Sequence, residues 1–221
     1  MTTSNSNPTH QFRRWLVYGA GGHGREVAWV LRDCWNDTIS ISHVTDSGFP
    51  VEDAVNGIRV LRLPEAKLVN DCAWVIAIGD PKSRREVHAR LRHLKLAFPP
   101  VVHPTAQMSK SVEISNGTVI FPGSILTVNI TLGPHVHINI NCTVSHDVRI
   151  GSFSTLSPGV NVAGRVDIGT DVFIGTNASI INGAPERFLQ IGNGATIGAG
   201  ACVTRSVPAG ARVVGVPANP K

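Results

Sequence analysis

The C-terminal half of the chain repeats every six residues. An aliphatic side chain stands at each sixth position from Ile114 to Ile180, and the series resumes after the five inserted residues 184–188. The positions are Ile114, Ile120, Leu126, Leu132, Ile138, Val144, Ile150, Leu156, Val162, Ile168, Ile174 and Ile180, followed by Ile191, Ile197 and Val203. Neither an α-helix, with its period of 3.6, nor a simple strand, with its period of two, repeats in this way.

Each six-residue unit has the pattern of a short strand followed by a corner. A second small or branched residue stands two positions before each aliphatic one, which is the alternation of a strand. These second positions include Thr118, Ser124, Val136, Cys142, Val148, Val160, Val166, Val172 and Ala178. Glycine often follows the aliphatic residue, as at Gly133 and Gly151, and we expect it to supply the positive φ of a sharp corner.

Three such units make one coil of about eighteen residues, and stacked coils share a continuous apolar interior. The repeat therefore predicts a three-sided parallel β-helix. A β-sandwich is the alternative, but its strands and turns do not keep so constant a period.

The N-terminal part of the chain follows a different pattern. Residues 13–98 alternate strand-like with helix-like segments, in the order "RWLVYGAGG", "REVAWVLRDCW", "ISISHVTD", "DCAWVIAIGD" and "PKSRREVHARLRHL". This alternation predicts a small, open, mostly parallel α/β sheet. We therefore expect a disordered polar leader over residues 1–12, a Rossmann-like α/β domain over 13–100 and the β-helix over 101–221.

Composition limits the classes of partner. The net charge is +5, but lysines and arginines are dispersed along the chain, which favours small anionic ligands over nucleic acid. No apolar run is long enough for a membrane helix. The four cysteines lack metal-ligand spacing, which indicates reduced thiols in a cytoplasmic protein without a metal site.

The first strand-like segment ends in a glycine-rich turn. Gly19, Gly21 and Gly24 form the G-x-G-x-x-G pattern between a strand and a helix, where backbone N–H groups can bind a pyrophosphate. Asp46, at the end of the next strand, stands where a ribose or base contact is expected. A tight turn without a ligand is the alternative, and a nicotinamide dehydrogenase would need a fuller sheet and a substrate domain.

His146 stands out within the repeat. It lies two residues after the inward Val144, a position that elsewhere holds Pro122 and Pro158 and therefore faces outward at a corner. Asp147 follows it, and the amide of Asn139 lies one unit earlier. A neutral imidazole oriented by a carboxylate suits a general base, although a solvated surface histidine remains the alternative on these residues alone.

The repeats, the "VYGAGGHGREV" segment and the closing "VVGVPANP" resemble the hexapeptide-repeat acyltransferases over residues 15–218. The small N-terminal domain is similar to that of the sugar-acylating branch, which comprises nucleotide-aminosugar N-acetyltransferases of the bacillosamine and perosamine type and sialic acid O-acetyltransferases. The resemblance implies a left-handed β-helix, acetyl-CoA as co-substrate and no metal. It implies N-acetylation of a nucleotide-linked 4-amino-4,6-dideoxy sugar.

The resemblance also implies roles for particular residues. His146 is implied as the general base, Asp147 as its orienting partner and Gly164, one coil further on, as the oxyanion donor. The remaining implied residues are Asn139 at the catalytic centre, Gly164, Thr176 and Ala199 along coenzyme A, and Gly22, His23, Gly24 and Asp46 around the nucleotide sugar. Thr155 stands where relatives can carry a second histidine, and this departure leaves part of the acyl-donor contacts open.

Thr176 and Ala199 belong to a different edge of the column from His146 and Gly164. Side-by-side packing of columns brings different edges together, so we expect a homotrimer with active sites between subunits.

Three other functions remain open at this stage. These are O-acetylation of a sialic acid, a zinc hydratase of the γ-carbonic anhydrase kind and a non-enzymatic scaffold. The zinc hydratases use three histidines between subunits, but His135, His137 and His146 do not show the ligand spacing of that family. The sequence does not determine whether the nucleotide is UDP, GDP or CMP.

Overall fold

The computed structural model describes residues 12–36, 38–48 and 52–221. The leader expected over residues 1–12 lies outside this part of the chain except for its last residue.

The N-terminal domain is a five-stranded sheet with helices against it. Its elements are β1 (Arg14–Tyr18), α1 (Gly22–Trp35), β2 (Ser40–Thr45), β3 (Ala54–Val55), β4 (Ile58–Arg62), α2 (Leu63–Ala66), β5 (Ala73–Ile76) and α3 (Pro81–Leu91), with a 3₁₀ turn over Arg92–Leu94. The strand order is β3-β4-β2-β1-β5, and all neighbours are parallel except β3 and β4. The predicted parallel α/β sheet is therefore confirmed.

The β3–β4 hairpin was not predicted. Asn56 and Gly57 form its two-residue turn, both with positive φ, at 49° and 74°. Asn-Gly is the preferred pair for such a turn because both central residues need positive φ.

The rest of the chain winds into a left-handed parallel β-helix with three faces, as the repeat and the resemblance predicted. The first face contains β6 (Val101–Val102), β9 (Val119–Ile120), β12 (His137–Ile138), β15 (Thr155–Leu156), β18 (Phe173–Ile174), β21 (Thr196–Ile197), β23 (Arg212–Val214) and the antiparallel β24 (Asn219–Pro220). The second face contains β7 (Gln107–Met108), β10 (Ile125–Leu126), β13 (Thr143–Val144), β16 (Asn161–Val162), β19 (Ser179–Ile180) and β22 (Cys202–Val203). The third face contains β8 (Val112–Ile114), β11 (Ile130–Leu132), β14 (Val148–Ile150), β17 (Val166–Ile168) and β20 (Leu189–Ile191).

The predicted inward residues form the core of the column. From Ile120 to Val203 the repeating aliphatic residues are at most 2% exposed, and the residues two positions earlier, from Thr118 to Ala178, are fully buried. Ile114, near the open end, is only partly buried. Burial of aliphatic carbon is the main favourable contribution to folding here, at roughly 25 cal/mol per Å².

The corners differ from the expectation in one respect. Positive φ occurs three residues after the inward aliphatic, as at Asn129, Asn141 and Asp147, and not at the glycine that directly follows it. That glycine is needed for space, because a Cβ on Gly151 would lie 2.5 Å from the carbonyl carbon of Gly169 in the next coil. Close stacking of the coils, and not the corner dihedral, therefore explains the glycine.

The α/β domain packs against the first face of the column. Arg84 of α3 is fully buried at this junction. Its guanidinium donates to the carbonyls of His135 and Phe153, at 3.1 and 2.6 Å. It also donates to the hydroxyl of Thr155, at 2.9 Å, so one side chain joins the two domains. Over the described ranges, no helix combines the length and apolar character needed to cross a bilayer.

Candidate active site

His146 lies at the edge between the second and third faces, in the corner that joins β13 to β14. Its side chain is 46% exposed and its Nδ1 lies 2.8 Å from Oδ2 of Asp147. A carboxylate only accepts hydrogen bonds, so this contact assigns the proton to Nδ1 and leaves a lone pair on Nε2. The imidazole therefore presents a basic nitrogen outside the column.

Asp147 has a second partner that the sequence analysis missed. Nδ2 of Asn129, eighteen residues earlier and so one coil below, donates to Oδ1 of Asp147 at 3.1 Å. The hydrogen bonds from His146 and Asn129 hold the pKa of the Asp147 carboxyl below its usual value. The eighteen-residue period was the signal that could have identified Asn129.

The amide expected at this site lies elsewhere within the chain. Asn139 is 7% exposed and its Nδ2 donates to the carbonyl of Leu156 at 2.8 Å. It stands at the corner between the first and second faces, so the described structure does not bring it to its own chain's His146. Its amide satisfies a buried backbone carbonyl at that corner.

Gly164 lies directly against the imidazole of His146, one coil further along the same edge. A Cβ at Gly164 would lie 2.5 Å from both Cε1 and Nε2 of the ring. Only a glycine therefore allows the ring to take this position. Its carbonyl accepts from the N–H of Gly183 at 2.9 Å.

The inserted residues 184–188 continue this edge beyond Gly164. The backbones of Ala184 and Arg187 exchange two hydrogen bonds, at 3.0 and 3.1 Å. Phe188 then reaches back along the third face, where the guanidinium of Arg149 lies 5.0 Å from its ring centroid. Phe188, Arg149 and Asp147 line one cleft of about 460 Å³. The insertion thus shapes the side of the site next to Asp147.

Thr176 and Ala199 lie on consecutive coils at the edge between the first and second faces. Both are exposed, and the N–H of Gly200 donates to the carbonyl of Thr176 at 2.8 Å. A Cβ on Gly175 would lie 2.5 Å from the nitrogen of Ala199. The backbone along this edge is therefore closely stacked and open to solvent, on an edge different from that of His146.

The glycine-rich turn leads directly from β1 into the first turn of α1. Gly19 has a φ of 121°, and a Cβ on Gly24 would collide with the carbonyl of Gly19. Gly21 is the N-cap of α1 and makes no side-chain cap, so Gly22 and Gly24 lie in the first turn of a helix. Backbone N–H groups at such a terminus attract anions.

Asp46 follows β2, on the same edge of the sheet as this turn. It accepts from the hydroxyl of Tyr18 at 2.7 Å and pairs with Arg90 at 3.1 Å. Burial raises the pKa of the Asp46 carboxyl, but the hydrogen bonds from Tyr18 and Arg90 outweigh it and the net pKa is lowered. Its side chain is 47% exposed, so Asp46 remains accessible as an anionic acceptor at the crevice.

His23 is held by protein contacts at both ring nitrogens. Nδ1 lies 3.3 Å from Oε2 of Glu26, and Nε2 lies 2.9 Å from Nδ1 of His137 on the first face. Its ring stacks on Phe121 with centroids 5.5 Å apart. Both ring nitrogens of His23 are therefore engaged within the chain, and its implied place around the nucleotide sugar stays a prediction.

Thr155, the departure from the relatives' pattern, also belongs to the domain junction. It is 2% exposed and its hydroxyl donates to the carbonyl of Gly79 at 2.8 Å. In this chain the position supports the α/β domain on the column.

The histidines considered for a zinc site do not converge. His135 and His137 are buried against the α/β domain, and His146 is exposed on the opposite edge. Nowhere in the described residues do three or more His, Cys, Asp or Glu side chains group so that they could hold a metal ion.

Comparison with known proteins shows which family the chain belongs to. Residues 14–91 match the family model of the PglD N-terminal domain. The chain is 34% identical to GDP-perosamine N-acetyltransferase of Escherichia coli O157:H7, across 92% of this chain and 94% of that protein. The chain belongs to the nucleotide-aminosugar N-acetyltransferases of the hexapeptide-repeat family.

Two solved structures resemble the whole acetyltransferase. WeeI from Acinetobacter baumannii AYE superposes with a TM-score of 0.88 at 34% identity, covering 94% of this chain and 99% of that one. A mutant perosamine N-acetyltransferase from Caulobacter crescentus, in complex with CoA and GDP-perosamine, gives a TM-score of 0.83 at 29% identity. That match covers 94% of this chain and 96% of the other, so both domains are shared.

Proposed function

We propose that this acetyltransferase moves the acetyl group of acetyl-CoA to the amine of a nucleotide-linked 4-amino-4,6-dideoxy sugar in the cytoplasm. The observation that supports this most strongly is the exposed His146–Asp147 pair lying against Gly164. The relatives named for perosamine acetylation add the substrate class.

His146 is the general base of the proposed reaction. With Nδ1–H donating to Asp147, Nε2 is free to accept a proton from the sugar amine as its nitrogen attacks the thioester carbonyl. The imidazolium formed in this step is stabilised by the carboxylate of Asp147. Asn129 holds that carboxylate from the other side, so the ring keeps one orientation.

The tetrahedral intermediate carries its negative charge on the former carbonyl oxygen. Gly164 packs against the ring, and its backbone N–H is the proposed donor to this oxygen. Collapse of the intermediate breaks the carbon–sulfur bond, and the proton held by His146 passes to the coenzyme A sulfur. The products are the amide and free coenzyme A, with no covalent enzyme intermediate.

The two substrate sites lie on opposite sides of one chain. The glycine-rich turn belongs to the α/β domain, which packs on the first face, and His146 stands at the edge opposite that face. A nucleotide sugar bound by Gly22, Gly24 and Asp46 therefore meets the His146 of another chain. Thr176 and Ala199, at a third location, supply the backbone along the pantetheine of coenzyme A. A homotrimer brings these edges together.

An acceptor panel tests the proposed reaction. The protein is incubated with acetyl-CoA and, separately, GDP-perosamine, a UDP-linked 4-amino-4,6-dideoxy sugar and a free sialic acid. We expect an acetylated amine on a nucleotide sugar, detected by mass spectrometry. Acetylation of the sialic acid alone would refute the proposed acceptor class.

Complementation tests the shared site. Chains carrying His146→Ala and chains carrying Asp46→Ala are each expected to be impaired, and mixing them after dissociation is expected to restore activity. An absence of recovery in verified mixed oligomers would contradict a site built from two chains.

A further inference from the structure

Two histidines from different domains meet at the centre of the junction. His23 lies in the first turn of α1, and His137 lies on β12 of the column with no exposed surface. Their rings are 5.1 Å apart, and the hydrogen bond joins Nε2 of His23 to Nδ1 of His137. The second nitrogen of His137, Nε2, is buried without a hydrogen-bond partner among the described residues.

The partners of the pair determine where its protons lie. Glu26 can only accept, so Nδ1 of His23 carries the proton of that contact and Nε2 of His23 is bare. Nδ1 of His137 must then be the donor between the rings. The remaining lone pair of His137 is its buried Nε2, and an unpaired buried acceptor is tolerated more often than an unpaired buried N–H. A single assignment of protons to the two rings therefore satisfies both the Glu26–His23 and the His23–His137 hydrogen bonds.

Burial and the nearby positive charge favour a neutral His137. The charged and titratable groups that face it are Glu26 on α1, Arg84 on α3 and His135 on the column. Burial, followed by the nearby Arg84, lowers the pKa of His137 well below its usual value. A further proton would either leave a buried N–H without an acceptor or break the bond between the rings.

We infer that His137 is a positioning residue, which acts through His23 to fix the glycine-rich turn and the start of α1 on the column. This inference rests on the proposed function, since the turn is the proposed site of the nucleotide pyrophosphate. The column carries His146 of each chain, so a turn fixed to the column presents the bound sugar amine at a constant position to the neighbouring chain. His23 itself then contributes its backbone and its place in the turn, and not a ring nitrogen, to the nucleotide.

The protonation pattern is tested by ¹⁵N NMR of the histidine rings in the full-length protein. We expect a protonated Nδ1 and a bare Nε2 in both His23 and His137, with a coupling across the bond between the rings. A proton on Nε2 of His23 at neutral pH would overturn the inference. This result does not depend on turnover, so it separates failure of the inference from failure of the proposed function.

Two variants test the functional consequence. His137→Leu fills the space without a donor, whereas His137→Asn keeps an N–H near the position of Nδ1. We expect His137→Leu to lower kcat/KM for the nucleotide sugar about five- to tenfold, the effect of one hydrogen bond, with KM for acetyl-CoA unchanged. We expect His137→Asn to restore most of the loss. Equal kcat/KM values for the two variants, or a loss shared equally by both substrates, would overturn the positioning role.

Discussion

Replacing Gly164 by alanine tests whether the imidazole must lie where the structure places it. The added Cβ would stand 2.5 Å from Cε1 and Nε2 of His146, whereas ordinary contact begins near 3.4 Å. The ring must therefore move by about 1 Å, and it can do so because the side chain is half exposed. A displacement of about 1 Å at a reacting group costs on the order of 100-fold in rate.

The fold is expected to tolerate this change. Gly164 is not among the residues with positive φ, and a compatible glycine-to-alanine substitution stabilises a protein by about 0.4–1 kcal/mol through the unfolded chain. The backbone N–H is also retained, so the proposed oxyanion donor stays in place. We therefore expect Gly164→Ala to keep its Tm and to lose about 100-fold in kcat/KM, measured by release of coenzyme A thiol.

A double variant identifies the cause of the loss. If the alanine acts by displacing the imidazole, it has no further effect in a His146→Ala background, because that background already lacks the ring. A tenfold or larger additional loss in that background would refute the reasoning. Full activity of Gly164→Ala would refute it as well.

Three further changes have expected outcomes. Burial lowers the pKa of His135 to about 3. Between pH ~6.5 and ~3 the unfolded chain therefore binds a proton at this residue that the folded protein does not. The free energy of unfolding falls by up to about 1.4 kcal/mol for each pH unit as the pH is lowered through this range. In urea titrations His135→Asn, which suits the positive φ there, should remove this part of the slope, and an unchanged slope would contradict the assignment. Arg84→Met leaves buried carbonyls unpaired and should lower the free energy of unfolding by at least about 3 kcal/mol; a loss below 1 kcal/mol would show that the junction does not depend on it. Asn129→Gly removes a hydrogen bond to Asp147 and raises the pKa of its carboxyl, so kcat/KM should fall several-fold, and most at low pH. The control Asn141→Gly, at a matching corner, should have no such effect. Equal losses in the two variants would contradict a specific role for Asn129.

The column could be predicted from the sequence because its signal repeats. Every aliphatic position from Ile120 onward is buried, and the outward position of His146 follows from the same register. The β3–β4 hairpin was missed although Asn56 and Gly57 marked it, because its strands are too short for a clear alternation.

Contacts between coils and between domains were harder to predict. Asn129 reaches Asp147 only because coils stack at eighteen residues, while Asn139, closer in sequence, lies around a different corner. Nothing in the sequence linked His23 to His137, 114 residues apart. Such pairs depend on how the α/β domain sits on the first face, which a repeat within one domain does not encode.

The central claim is that His146 takes the proton from the sugar amine. His146→Asn keeps a donor near Asp147 but removes the basic Nε2, so single-turnover acetyl transfer to GDP-perosamine, at saturating acetyl-CoA, isolates this role. The account predicts a loss of 10²–10⁴-fold with both substrates still bound. Transfer at the wild-type rate would contradict it.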